Sequence, residues 1–164
     1  MVAELIGNPS DVAEAALELK HMEMDHASDV EAIPGARQLL ESSPEGSWAV
    51  VTSGNRGIAT ARMASAGLLR ASVLISGEDV TNGKPFPEPY VLAAERLQAP
   101  PRCCAVFVDA PAGIASANAA GVKTFIGVGA NAHTPEVTLV VSDLSGVHFD
   151  GHELRIDVST VLHR

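Results

Sequence analysis

The sequence is poor in aromatic residues and in positive charge, and each shortage excludes something. Aromatic side chains make up 4% of the 164 residues, so the core must consist mainly of Ala, Val, Leu and Ile. The 11 Lys and Arg residues against 20 Asp and Glu give a formal net charge of −9. Nucleic acid and anionic membranes both need a basic surface, so this balance argues against either as a partner. We therefore expect a small molecule as the ligand.

Cysteine and long apolar runs are also scarce, and both shortages bear on the cellular location of the protein. Cys103 and Cys104 are adjacent, and neighbouring residues on a strand point to opposite faces, so we expect two free thiols. No stretch approaches the roughly 20 apolar residues of a membrane span. Met1–Pro9 lacks the basic and apolar regions of a signal peptide. These features together predict a cytoplasmic protein.

Short apolar runs alternate with helical patterns along most of the chain. Apolar strands that alternate with helices indicate βαβ units, and thus an α/β fold whose parallel sheet is covered on both faces. The spacing of apolar residues also predicts a helix over Ser10–Glu31. The other predicted helices are Ala36–Ser42, Arg56–Ala66, Pro89–Leu97 and Ala112–Ala120; the predicted strands are Trp48–Thr52, Ser72–Ser76, Cys104–Val108, Lys123–Val128 and Leu139–Ser142, followed by a hairpin of Val147–Phe149 with Leu154–Val158.

The residues just after each predicted strand are candidates for a site, because ligands of open α/β sheets bind outside the carboxyl ends of the strands. Thr52, Ser53 and Gly54 follow the first strand and precede a helix. Hydroxyl and backbone N–H donors at a helix N-terminus suit a phosphate. Ordinary helix capping is an equally good interpretation of these three residues alone.

Two further positions carry charge at strand or helix ends. Lys84 stands in a loop stiffened by prolines, where its ammonium can hold phosphoryl oxygens, although a solvated lysine in a turn would look the same. Asp109 ends a buried strand. Its carboxylate is either the N-cap of the next helix or a ligand for Mg²⁺, which prefers hard oxygen atoms.

The three positions in combination resemble a known family. Strand-Thr52, then Gly83-Lys84-Pro85-x-Pro87, then strand-Asp109-x-Pro-x-Gly-Ile are similar, in this order, to motifs II, III and IV of the haloacid dehalogenase (HAD) superfamily. The closest likeness is to its sugar-phosphate and glycerol-phosphate phosphatases. The resemblance runs from about Pro34 to Val128.

The resemblance implies a fold and a chemistry. It implies a Rossmann-like three-layer α/β/α core over 33–164, preceded by a remnant of a helical cap over 1–32. Thr52, with Ser53 and Gly54, would bind the phosphoryl group of a small sugar or polyol phosphate, and Lys84 would bridge this group and the nucleophile. Asp109 would ligate Mg²⁺.

The family's motif I, Asp-x-Asp-Gly-Thr, has no match before Thr52. In the family its first Asp attacks phosphorus and its second acts as acid and base, so the resemblance implies an N-terminally incomplete chain that is inactive alone. The motif I strand would lie between the strands that end at Thr52 and Asp109. Without it these strands could close up, accept another chain or fold poorly, and their open edges could drive self-association.

Three alternatives stay open. A non-catalytic pseudoenzyme or partner subunit would also lack motif I. A permuted site could use Asp143, which follows a late strand as Asp-x-Ser-Gly. An unrelated α/β binding domain is the third. Val108 also stands where this branch usually has an acidic residue, so we expect weaker Mg²⁺ binding.

Overall fold

The computed structural model describes residue 18 and residues 30–68, 70–132 and 134–163. Its helices and strands, in chain order, are α1 (Ala36–Ser42), β1 (Ala49–Val51), α2 (Arg56–Ser65), β2 (Val73–Ile75), α3 (Glu88–Arg96), β3 (Ala105–Val108), α4 (Pro111–Ala119), β4 (Thr124–Val128), β5 (Leu139–Val141), β6 (Val147–Phe149), β7 (Leu154–Ile156) and β8 (Val161–His163). Short 3₁₀ helices cover Pro101–Cys103, Ala130–Ala132 and Val158–Thr160. Most of the predicted helix over Ser10–Glu31 lies outside the described residues, but Val30 and Glu31 belong to no helix.

The strands of the described residues form three sheets. β1 pairs with β2 in parallel, with Val50 opposite Leu74. β3, β4 and β5 are also parallel, and β8 adds an antiparallel edge to β5. β6 and β7 form the predicted hairpin. The α/β fold with parallel strands is thus confirmed. The antiparallel edge was not predicted, because a strand of three residues is too short to show an alternating pattern.

The parallel sheet is divided between β1 and β3. Within the described part of the chain these two strands belong to separate sheets, so they do not close up against each other. β1 is only half-buried, whereas all three residues of β2 are buried. Val51 nevertheless packs against the apolar clusters on both sides of the division. Side-chain packing therefore connects the two parts where backbone pairing does not.

Two apolar clusters form the core around this division. The larger cluster packs β3 and β4 against α3 and α4, and its buried members are Tyr90, Val106, Val108, Ile114, Ala117, Val122 and Phe125. The smaller cluster joins β2 to α3 through Val73, Ile75 and Ala93. Ile75 and Ile126 are 0% and 1% exposed, and full burial of such a side chain contributes about 1.5–3 kcal/mol.

The turn before α1 is fixed by a close approach to the loop after β5. Gly35 has a φ of 82°, and a Cβ atom there would lie 2.0 Å from the carbonyl carbon of Leu144. Leu144 N donates a hydrogen bond to Pro34 O at 2.8 Å. Only glycine combines this backbone conformation with so close a contact. The contact ties the beginning of the predicted core range to its C-terminal half.

Candidate active site

A cleft of about 240 Å³ lies between β1 and β3, at the division of the sheet. It collects side chains from three loops that the sequence separates widely, because parallel strands bring their carboxyl ends to one edge. The lining residues are Val51, Ser53, Lys84, Tyr90, Phe107, Val108, Asp109, Ala110, Ala112 and Gly113. Three of the five residues predicted for the site therefore line this cleft: Ser53, Lys84 and Asp109. Thr52 and Gly54 lie beside Ser53 but not in the lining.

The loop after β1 is held by its own hydrogen bonds. Thr52 N donates to Ile75 O at 2.9 Å, which continues the pairing with β2. Gly54 N donates to Thr52 Oγ1 at 3.1 Å. The helix cap is Asn55, whose Oδ1 accepts from Gly57 N and Ile58 N in the first turn of α2. Helix capping thus falls to a residue that was not predicted, and the Ser53 hydroxyl stays exposed at the cleft.

Lys84 projects into the division of the sheet. Its Nζ donates to Val51 O at 2.9 Å, on the open edge of β1. The same ammonium lies 5.2 Å from the centre of the Tyr90 ring. Burial lowers the pKa of Lys84, and the negative charge of Asp109 opposes that shift. The solvated-lysine interpretation is therefore wrong: this ammonium is half-buried, directed and paired with a carbonyl.

Tyr90 forms the wall of the cleft next to Lys84. Burial raises the pKa of its phenol to about 12, with a further contribution from the charge of Asp109. The tyrosine thus stays neutral, and its ring face attracts the ammonium. Perturbed pKa values that meet in one cleft are typical of functional sites. Tyr90 lay next to the predicted lysine loop, but a buried tyrosine has no sequence signal that distinguishes it from a core residue.

Asp109 stands at the mouth of the cleft and is exposed. It does not cap α4, whose N-cap is Ala110 without a side-chain hydrogen bond. Within the described residues the Asp109 carboxylate accepts no hydrogen bond, so its oxygens are available to a ligand. Val108 points into the larger apolar cluster and is 7% exposed. The side chain before Asp109 therefore offers no oxygen to a cation, where the family branch usually has a carboxylate.

Three carboxylates that were not predicted hold the loops of the cleft together. Asp79 Oδ2 accepts from Ser76 N at 2.8 Å, from Ser76 Oγ at 2.6 Å and from Arg56 Nη2 at 2.5 Å. Glu78 accepts from the Asn55 side chain and from Arg56 N. Glu88 accepts from two backbone N–H groups of the loop before Lys84, each at 2.8 Å. Acidic residues in a glycine-rich and proline-rich loop are too common to indicate this role from sequence.

Asp143 lies away from the cleft. It follows β5, which β4 separates from β3, and it is not among the lining residues. Its Oδ1 accepts from Ser145 N at 2.8 Å, which makes an ordinary turn. Hydrogen bonds from Ser145 and Ser142 lower its pKa. The geometry thus gives no support to a permuted site at this residue.

A larger hollow of about 450 Å³ runs along α4, but its chemistry differs. Its lining residues are Pro111, Ile114, Ala115, Asn118, Ala119, Thr134 and Glu136. Among its described lining residues, the one charged group is the carboxylate of Glu136, which would repel an anionic ligand. We therefore regard the smaller cleft, which contains Lys84, as the candidate site.

Comparison with known proteins identifies the family. A model of the haloacid dehalogenase-like hydrolases matches residues 5–121. This chain belongs to that family. Fructose-1-phosphate phosphatase YqaB of Escherichia coli is 33% identical over 135 residues, and the match covers 72% of each protein. The family assignment predicted from the motifs around Thr52, Lys84 and Asp109 is confirmed.

The names of other relatives in the family specify phosphorylated sugars or polyols as their substrates. Hexitol phosphatase A of Escherichia coli is 40% identical over 143 residues, which cover 84% of this chain and 66% of that protein. Glycerol-1-phosphate phosphohydrolase 2 of Saccharomyces cerevisiae is 42% identical over 101 residues, which cover 56% of this chain and 40% of that protein. The chain thus spans two thirds or less of the length of these two relatives.

Solved structures agree on the fold. β-Phosphoglucomutase from Clostridium difficile superposes with a TM-score of 0.72 at 22% identity, over 87% of this chain and 66% of that one. CbbY from Rhodobacter sphaeroides, solved with phosphate, gives a TM-score of 0.71 at 20% identity, over 84% and 66%. At 22% and 20% sequence identity, these structural similarities show only that this chain has the fold of the family.

Proposed function

We propose that this chain contributes the phosphoryl-binding part of a Mg²⁺-dependent phosphomonoester hydrolase that acts on a small sugar or polyol phosphate. The observation that carries the proposal is the half-buried ammonium of Lys84 in the same cleft as Ser53 and Asp109. The substrate class rests on the names of the relatives, which include a hexitol phosphatase and a glycerol-1-phosphate phosphohydrolase.

The phosphoryl group would meet donors from two loops. Thr52 Oγ1 accepts from Gly54 N, which leaves the hydroxyl proton of Thr52 for a phosphoryl oxygen. The Ser53 hydroxyl is exposed at the cleft. Lys84 would add a compact positive charge, and its interactions with Val51 O and Tyr90 fix its direction of approach. Fixed donors in a partly dry cleft stabilise developing negative charge more strongly than mobile donors in water.

The residues present fit Mg²⁺ through one ligand. Asp109 would hold the ion, which typically keeps several waters and uses one or two carboxylates with phosphate oxygens. Among the described residues no group of three or more His, Cys, Asp and Glu side chains is suited to hold a metal by itself. A site with one protein carboxylate needs the phosphate to complete it. When bound, the ion would neutralise charge on the transferring phosphoryl group.

The reaction typical of the family also needs an aspartate nucleophile and a neighbouring acid. A carboxylate oxygen bonds to phosphorus while the bond from phosphorus to the alcohol oxygen breaks, and the second carboxyl gives the alcohol its proton. Water then attacks the aspartyl-phosphate and releases inorganic phosphate. The printed sequence contains no Asp-x-Asp-Gly-Thr. We therefore propose that the 164 residues alone do not turn over, and that a strand bearing this motif would pair between β1 and β3.

Hydrolysis of p-nitrophenyl phosphate with Mg²⁺ tests the proposal. The comparison includes this chain, a version extended at the N-terminus by an Asp-x-Asp-Gly-Thr strand from a relative, and the extended version with Lys84→Ala. We expect turnover from the extended version only, because the other two lack the nucleophile or the phosphoryl ligand. Arg102→Ala on the extended version, which changes an exposed cation outside the cleft, is the control. Full turnover by the extended Lys84→Ala variant would refute the role of Lys84.

A non-catalytic partner subunit is the second candidate, and the division of the sheet favours it. β1 and β3 each present an unpaired edge in the described residues, and such edges accept strands from other chains. This candidate predicts a dimer or a complex in light scattering. A stable monomer that gains turnover on extension would exclude it.

A cytoplasmic location completes the proposal. Cys103 and Cys104 are free thiols in the structure, which agrees with a reducing compartment. In the part of the chain that the structure describes, no helix has the length and apolar character needed to span a membrane. Fractionation of the source cells, with the chain detected by antibody, would test the location.

A further inference from the structure

Ser116 makes an unusual contact for a serine in the middle of a helix. It lies in α4 and is 0% exposed, one of two fully buried polar residues of the described core. A helical serine usually bonds the carbonyl one turn earlier or faces solvent. The Ser116 hydroxyl instead donates to Phe86 O at 2.5 Å, 30 residues away in the chain. A buried hydroxyl therefore joins α4 to the loop that carries Lys84.

The backbone at Phe86, rather than its side chain, is the anchored part. Phe86 is 57% exposed, while its N–H closes a local turn to Gly83 O at 3.0 Å. Pro85 and Pro87 flank this residue, and each proline ring restricts φ to about −65°. Few torsions therefore separate the anchored carbonyl from Lys84, two residues earlier. A constraint on Phe86 O thus becomes a constraint on the direction of the lysine side chain.

The other end of the contact belongs to the element that follows Asp109. α4 begins at Pro111, immediately beyond the loop of Asp109 and Ala110, and Gly113 of the same helix lines the cleft. The Ser116–Phe86 hydrogen bond thus connects the loop that carries Lys84 to α4, the helix that follows Asp109. None of the other side-chain hydrogen bonds of the described residues links these two elements.

We infer that Ser116 is a positioning residue that holds the Lys84 loop against α4 and keeps the Lys84 ammonium directed into the cleft. It does not touch the ligand itself. The inference rests on the proposed function only for the importance of Lys84; the mechanical link stands on the Ser116–Phe86 contact.

Acylation of lysines at one fixed pH, read by peptide mass spectrometry, tests the link without any need for turnover. The chain has three lysines, Lys20, Lys84 and Lys123, and Lys123 is exposed and serves as an internal reference. In Ser116→Ala we expect the Lys84 to Lys123 rate ratio to rise about five-fold, the factor that corresponds to the ~1 kcal/mol of one neutral hydrogen bond. Alanine is the better helix former, so the variant should fold.

Ser42→Ala in α1 is the matched control, because it removes a helical hydroxyl whose hydrogen bond to Leu39 O is local. We expect the Lys84 ratio of this variant to equal that of the unchanged chain. An unchanged ratio in Ser116→Ala, with or without a lower melting temperature, would overturn the inference, since a purely structural serine alters stability but not Lys84. A raised ratio together with an inactive extended enzyme would support the link and count against the proposed function.

Discussion

Asp79→Asn tests a carboxylate whose pKa is strongly lowered by the hydrogen bonds that it accepts. The Asp79 carboxylate is 18% exposed and accepts two hydrogen bonds from Ser76 and one from Arg56. These contacts lower its pKa from 3.8 to about 2, with the hydrogen bonds from Ser76 as the largest cause and Arg56 as a smaller one. Asparagine keeps the shape of the side chain but removes its charge. The variant should therefore lose the charge-assisted part of the contact.

The pKa shift sets the magnitude and the pH range of the effect. A difference of about 1.8 pKa units between 3.8 and about 2 corresponds to roughly 2.4 kcal/mol. The Arg56 side chain is 43% exposed, so solvent screening reduces this to about 1–2 kcal/mol. Because the pKa is lowered in the folded state, the stabilisation is fully present above the unfolded pKa of 3.8. It decreases as the pH falls towards 2.

Urea unfolding followed by circular dichroism at several pH values measures this difference. We expect Asp79→Asn to be less stable than the unchanged chain by about 1–2 kcal/mol at pH 7 and by less than about 0.5 kcal/mol near pH 2, because the stabilisation is lost as the pH falls through the folded pKa. In a double-mutant cycle Ser76→Ala should couple to Asp79→Asn more strongly than Arg56→Met does, since the hydrogen bonds from Ser76 dominate the shift. A difference that stays constant from pH 7 to pH 2 would refute the reasoning.

Three further predictions concern Gly35 with its comparison position Gly46, Tyr90, and Asp143. Gly35→Ala should lower the free energy of unfolding by about 3 kcal/mol or more, since its φ is 82° and a Cβ would lie 2.0 Å from Leu144. Gly46→Ala, with a φ of 77° but no atom within 4 Å, should cost only about 1–2 kcal/mol in the same denaturant titration. Tyr90, the single tyrosine, should ionise near 12 in an ultraviolet titration, with stability lost as the pH rises from 10.0 towards 12; ionisation near 10.0 with the fold intact would contradict this. Asp143→Asn should leave the turnover of the extended enzyme unchanged, and a loss with the fold intact would return this residue to the site.

The candidate site was predicted in part from the sequence, and the part that failed has a physical reason. Lys84 and Asp109 could be found because a charge at a strand end or between prolines contrasts with the apolar run before it. Tyr90 and Asp79 could not be found, because a tyrosine in an apolar helix and an acid in a polar loop are locally ordinary. Their roles depend on groups that lie far away in the chain, such as Arg56, 23 residues from Asp79.

The sequence by itself determined the elements and the family. α1 occupies the predicted Ala36–Ser42 and β6 the predicted Val147–Phe149, and α2, α3, α4, β1 to β5 and β7 lie within about two residues of their predicted bounds at each end. β8 and the short 3₁₀ helices were not predicted. Periodicity and turn residues act over a few positions, so they can be read locally. The order of the three motifs was enough to indicate the haloacid dehalogenase-like hydrolases, and the family comparison confirms it.

Only the tertiary structure decided how these elements meet. It leaves β1 and β3 unpaired in the described residues, joins Lys84 to Val51 O across that division and assigns the cap of α2 to Asn55. It also adds β8 as an antiparallel edge. Each of these contacts joins groups whose proximity depends on how the rest of the chain packs. The local sequence pattern determines which residues form a helix or a strand. Long-range packing determines which partner each unpaired carbonyl or charged side chain contacts.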